Sequence, residues 1–211
     1  MRGLLSFDTN AAIGISAMIV FIAMILVAGV TASVMIQVMG NLQQQALKTS
    51  QDTIKEVSSG LKVTHVSGYC SDSEITRLAF FVSTTAGSSS IDLAQTHISL
   101  SNTLTQVILD YTDTCFASSA SSGIFSTLNA SNLSSTTYGI IVIRDVDSSC
   151  KSSTPSINSD DLVVLLVNTT KCFSGINTRT EVSGRIVPEF GMSGLISFTT
   201  PSSYVGTIID L

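Results

Sequence analysis

Between Asp8 and Lys48 the chain carries no charged residue. The stretch "AAIGISAMIVFIAMILVAGVTASVMIQVMGNLQQQA", Ala11 to Ala46, limits the fold more than anything else in the 211 residues. Its apolar part, Ala11 to Met39, exceeds the ~20 residues that cross a hydrocarbon core. It is also about twice the ~7–15 residues of a secretory signal's apolar region, so removal of the whole segment is not expected. Ile13, Ile15, Met18, Ile19, Phe21, Ile22, Met24, Leu26 and Val27 surround the helix axis. A helix apolar on every side must be covered on every side, by lipid or by other helices. Ala28 with Ala32, and Gly29 with Ser33, are small pairs four apart that let helix backbones approach closely. Such residues are common in any membrane helix, and the spacing alone leaves specific packing open.

Beyond Met39 the helical pattern changes without stopping. Leu47, Ile54, Val57 and Leu61 follow one stripe of an amphipathic helix, and Lys48 and Asp52 form a supporting pair four apart. Gly60, after Ser58 and Ser59, reads as the stop. A continuous helix of that extent is roughly 70 Å long at ~1.5 Å per residue, about twice a bilayer core. The surplus is the first sign that spanning a membrane is not its whole task.

After Gly60 the composition turns over. Short β-branched and aromatic runs ("ITRLAFFVSTT", "TQVILDY", "YGIIVIRD", "LVVLLVN", "GLISFTT") alternate with serine- and glycine-rich clusters such as "TAGSSS" and "SSASSG". Many short strands at regular spacing indicate a sandwich or barrel. The expected fold is therefore α+β: a leader or extension over 1–10, a long helix over 11–60, and an antiparallel, immunoglobulin-like β-sandwich over 61–211. Of ten basic and fifteen acidic residues, three of each fall in 1–61, leaving seven and twelve in the β-domain. An acidic domain without a Lys/Arg cluster excludes nucleic acid as an expected partner.

Four cysteines, Cys70, Cys115, Cys150 and Cys172, lie in the β-domain. Their even number is compatible with two disulfides in any of three pairings, of which the sequential one, Cys70–Cys115 with Cys150–Cys172, is slightly favoured. Their spacing fits no zinc pattern. Asn129, Asn132 and Asn168 begin N-x-[ST] sequons. Together with the helix, these features favour a β-domain outside the cell. Catalytic signals are sparse: "GMSGL" lacks the spacing of a nucleophile elbow, and His65 and His97 read as ordinary strand residues. Asp145, Asp147, Asp160 and Asp161 could offer oxygen ligands to Ca²⁺ or serve as solubilising loop carboxylates. No other cofactor is expected.

Two blocks carry a resemblance. "GISAMIVFIAMILVAGVTASVMI" followed by "GNLQQQA" resembles the N-terminal helix of archaellins, the archaeal flagellins. "SGRIVPEFGMSGLISFTTPSSY" is similar to the matching end of their β-domain. The resemblance implies that a type-IV-prepilin-like peptidase removes the leader. It also implies that an assembly platform moves subunits from the membrane into an extracellular helical filament of this chain, with or without other archaellins. Helices would form the core through Ile15, Ile19, Phe21, Ile22, Ala28, Gly29, Ala32 and Ser33, with β-domains outside. Cleavage in the family follows a glycine near the apolar block. Here the aligned position is near Asn10 and the Arg2-Gly3 pair lies upstream, so Gly3 and Asn10 are both candidates, unless the chain is already mature. Bacterial type IV pilins carry a carboxylate near the helix start, which this helix lacks. The alternative is a β-sandwich binding module or accessory component anchored permanently in the membrane.

Overall fold

The computed structural model describes residues 4–211, with side chains from Ala12 onward. It divides into two compact units, Met1–Asp52 and Thr53–Leu211.

The first unit is almost entirely helix α1 (Leu4–Ser58), whose last turn belongs to the second unit. The helix takes in residues 4–10, part of the expected leader, so Asn10 lies within it, while Gly3 lies outside the described residues. Leucine, alanine, methionine and glutamine are strong helix formers, and no proline interrupts them. Two of its hydroxyls turn inward on the backbone: Ser16 Oγ donates to the Ala12 carbonyl at 2.9 Å, and Thr31 Oγ1 to that of Ala28 at 2.9 Å. They therefore need no water.

The second unit holds β1 (Leu61–Ser71), β2 (Glu74–Thr84), β3 (Ile91–Asp92), β4 (His97–Ser101) and β5 (Gln106–Ala117). There follow α2 (Ile124–Thr127), β6 (Thr137–Arg144), β7 (Cys150–Lys151), β8 (Thr154–Ile157) and β9 (Leu162–Asn168). The last elements are α3 (Thr169–Phe173), β10 (Glu181–Val187), β11 (Gly194–Thr199) and β12 (Ile208–Asp210). Nine strands form one sheet in the order β11-β10-β4-β5-β6-β9-β2-β1-β12, and β3-β8-β7 form a small second sheet.

As expected, the long helix is followed by a mostly antiparallel β-domain, and two features add detail to it. The β5–β6 pair is parallel, whereas the other pairs are antiparallel. The long β5 also serves both halves: Gln106–Leu109 pair with β4, and Asp110–Ala117 pair with β6 across a register break after Tyr111. The sheet thus folds over through β5. One core joins Leu78, Phe80 and Val82 of β2 to Ile98, Leu100, Val182, Ile186 and Ile196 of the other half.

The central strands are buried on both faces, which is why "LVVLLV" is continuously apolar rather than alternating. Val163, Leu165 and Val167 enter the main core. Val164 and Leu166 face a second cluster with Ala79, Cys115 and Ile141, covered by Phe125, Leu128 and Leu133 of the 118–136 connection. Tyr138, fully buried, donates its hydroxyl to the Leu93 carbonyl at 2.8 Å, with that of Thr96 at 3.0 Å. Among the described residues no buried side-chain nitrogen or oxygen lacks a partner.

The helix ends where expected, but Gly60 has a different reason to be glycine. It bridges to Met192, and a Cβ there would stand 2.9 Å from the Met192 Cβ. Ser59 accepts the Met192 N–H at 2.9 Å, and the Leu61 N–H donates to the Met192 carbonyl at 3.0 Å.

Gly139 on β6 is held as tightly, since a Cβ would meet Leu128 Cδ1 at 2.7 Å and the Cys115 carbonyl at 2.8 Å. Gly139→Ala should therefore destabilise the domain by about 1–3 kcal/mol through overpacking. Denaturant unfolding of the detergent-solubilised chain measures it, and an unchanged midpoint would refute the close packing.

Candidate functional site

Every described side chain of α1 from Ala12 to Ser58 is exposed. Nineteen large apolar residues between Ile13 and Leu47 are among them, with Ile15, Ile19, Phe21 and Ile22 at 61%, 62%, 65% and 56%. At about 1.5–3 kcal/mol for covering each such side chain, the helix stands to gain roughly 30–60 kcal/mol from an apolar environment. No other exposed surface among the described residues offers so large a gain, so this surface is the site. Ala28, Gly29, Ala32 and Ser33 are exposed too, and a Cβ on Gly29 would meet nothing within 4 Å. Packing within the chain gives no reason for small residues there.

The β-domain sorts the remaining candidates. All four cysteines are free thiols, which corrects the expected pairing. Strands β6, β9 and β2 separate β5, with Cys115, from β1, with Cys70. That is roughly 19 Å along the sheet at ~4.8 Å per strand, against the ~4.4–6.8 Å a disulfide bridges. Cys150, whose N–H donates to Asp145 Oδ2 at 3.0 Å, sits near the start of β9, and Cys172 follows its end. Seven residues of strand put roughly 20 Å between them.

Asn129 and Asn132 are exposed, as an N-linked glycan requires. Asn168 is buried, which argues against the third sequon. Its Nδ2 donates to the Ala130 carbonyl at 2.9 Å, and its Oδ1 caps α3 by accepting the Lys171 N–H.

Asp145, Asp147 and Asp161 bring carboxylate oxygens within 4.8 Å of one another, and Asp160 is not part of the group. Amides already meet them: Ser149 N–H donates to Asp145 Oδ1 at 3.2 Å and to Asp147 Oδ1 at 3.1 Å, and Asn158 N–H to Asp161 Oδ2 at 3.0 Å. Hydrogen bonds from Ser149 and then Asn158 hold the Asp147 carboxyl below its usual range. The cluster has the geometry of tied loop turns.

His97 Nδ1 meets Asp110 Oδ1 at 2.6 Å. His65 Nε2 is 3.2 Å from Asp210 Oδ1 and 3.0 Å from Ser67 Oγ. The hydroxyl and the carboxylate address the same ring nitrogen, whereas a serine–histidine–aspartate relay uses both. "GMSGL" leads into strand β11, not into the helix of a nucleophile elbow.

Sequence reasoning missed how the second cluster is covered. The Lys171 Nζ donates to the carbonyls of Ser131 at 2.9 Å and Leu133 at 2.7 Å. Arg77 lies over the Tyr69 ring at 4.7 Å and donates to the Phe125 carbonyl. These two cations pin the 118–136 connection by its backbone, and no local sequence signal announces such contacts.

A family model for archaeal-type flagellin matches residues 11–198. The chain belongs to the archaeal-type flagellins. Flagellin B2 of Methanocaldococcus jannaschii is 41% identical over 200 residues, covering 94% of this chain and 92% of that protein. Flagellin B1 of Methanococcus voltae is 40% identical over 210 residues, covering 97% and 96%. The crystal structure of an archaeal flagellin from M. jannaschii matches with a TM-score of 0.65 at 34% identity, over 72% of this chain and 96% of that one. The archaeal flagellum of Methanospirillum hungatei shares the fold at a TM-score of 0.65 and 18% identity, over 93% and 98%. This flagellin is a structural subunit of a self-assembling filament at the cell surface.

Two predictions concern the flagellin's β-domain. Glycopeptide mapping of filaments should find glycan on Asn129 or Asn132 and none on Asn168, and a glycan on Asn168 would contradict its buried amide. Burial, then the nearby carboxylates of Asp145 and Asp161, pushes the Cys150 thiol up to about 12 from 9.0. Burial likewise raises the Tyr111 phenol to about 12 and the Tyr138 phenol further. These groups stay protonated in the folded domain while the unfolded chain ionises at ordinary values. Their contribution is complete below pH ~9 and is lost as the pH rises towards ~12. The denaturation midpoint should therefore fall across that window, and less steeply in Cys150→Val. A flat midpoint would refute it.

Proposed function

We propose that α1 is covered twice in the life of this flagellin, first by lipid and then by the α1 helices of other copies in the filament. The observation that carries this reading is the exposure of the uncharged part of α1 over 12–39, which is apolar on every side. Both surroundings are apolar, so the transfer gains little hydrophobic free energy. Close packing at Ala28, Gly29, Ala32 and Ser33 then favours the polymer. An assembly platform supplies the drive that the transfer lacks. A prepilin-type peptidase removes the leader at Gly3 or Asn10 before assembly. The β-domain forms the extracellular shell, other flagellins can join the polymer, and the role is structural rather than catalytic.

One lysine separates a filament core from a permanent anchor. In a bilayer, a central Lys costs about 2.5–3.5 kcal/mol, eased by snorkelling to the headgroups. In a helix-packed core no headgroup is within reach, and 11–46 offers no carboxylate. A buried unpaired charge costs several kcal/mol there, repeated in every subunit. Ala23→Lys should leave membrane-inserted subunit and no filaments in sheared preparations viewed by negative-stain microscopy. Filaments of normal length carrying this lysine would sink the helix-core reading.

A further inference from the structure

Met192 and Leu195 are large apolar side chains left 66% and 77% exposed. The backbone bonds of Met192 to Ser59 and Leu61 fix it beside the end of α1, where Ile54 and Val57 are exposed as well. Leu195 lies near the start of β11, the outermost strand on its side of the sheet. Across the sheet it stands opposite Arg185, then Ser99, then Ile108. The next row on that face is Ser197, Ser183, Ser101 and Gln106. Arg185 is the one charge in these two rows, on a domain with seven basic and twelve acidic residues, and the exposed carboxylates of Glu181 and Asp110 flank the rows on the same face, Asp110 bonded to His97. Glu189, in the loop before β11, lies outside them. Natural edge strands are usually blunted by charge, proline or a bulge. "GLISFT" has no charge or proline, and its pairing with β10 runs without a bulge.

We propose that this corner, Met192 and Leu195 with the edge of β11, seats the outer domain of a second copy of the chain. The proposal rests on the filament reading above. Two observations choose that occupant. The corner adjoins the end of the polymerising helix, so it continues the assembly surface onto the β-domain. Copies with the same net negative charge repel, so they approach best where a cation meets the arriving surface, and the charge in the Leu195 row, Arg185, is opposite in sign to the arriving domain's net charge. The corner meets a different surface of the next copy, a head-to-tail contact that propagates into a helical polymer.

The test compares full-length variants in cells whose wild-type chain is recovered from filaments. Leu195→Asp and Met192→Asp should cut filament yield about tenfold or more, with membrane-held subunit and its thermal midpoint in detergent unchanged. Arg185→Glu should do the same by adding like charge. Leu104→Asp and Val205→Asp, at sites 89% and 88% exposed elsewhere on the domain, should assemble normally. A photo-cross-linking amino acid in place of Leu195 gives a second readout if an aspartate unfolds the domain. In filaments it should join two subunits through residues 61–211 of the neighbour. Full filament yield from both aspartate variants, equal loss from the two controls, or cross-links only within one chain or to another protein would each overturn the proposal. A wild-type chain found only in membranes would instead bring down the filament reading itself.

Discussion

An α-helix with no polar side cannot remain in water, and the β-domain of this flagellin is built around an interior of its own. Both core clusters of the β-domain draw only on residues from Leu61 onward. The domain therefore folds around its own interior. The interior hydroxyls of Ser16 and Thr31 follow the same logic, because each is satisfied by a carbonyl of its own helix in any medium.

The surface of the domain is economical with charge. Among the described residues, the close contacts between basic side chains and carboxylates are the two exposed histidine–aspartate pairs. Arg77 and Lys171 spend their donors on backbone carbonyls instead. A cation bonded to carbonyls fixes a loop without needing a buried anion, whose desolvation would cost several kcal/mol. Serine and threonine hydroxyls supply much of the remaining polarity.

What the sequence made legible was what local periodicity encodes. The helix was readable to within two residues at its C-terminal end, because composition changes abruptly at Gly60. The strands were readable as β-branched runs, "LVVLLVN" among them. Pairing was not, because the partners of β5 are chosen by contacts far apart in sequence. The same distance hid why "SSASSG" and its neighbours matter: Phe125, Leu128 and Leu133 look like stray apolar residues in a polar loop until Val164 and Leu166 lie beneath them. The cysteines and Asn168 failed for a related reason. Counting thiols or matching a sequon carries no information on which strands stand between two thiols, or on whether an amide already has a partner.

The strand order also sets a timetable for synthesis. The hydrogen bonds of α1 are internal to it, so it can form as soon as its residues emerge. The sheet has no such independence. Residues 181–187 pair with 97–101, and 208–210 pair with 67–69, so both flanks of the sheet wait for the last segments made. Such long-range closure is slow relative to helix formation. During translation the greasy segment is therefore formed while the domain behind it is still open-edged, and the sheet closes only once its final strands have been made.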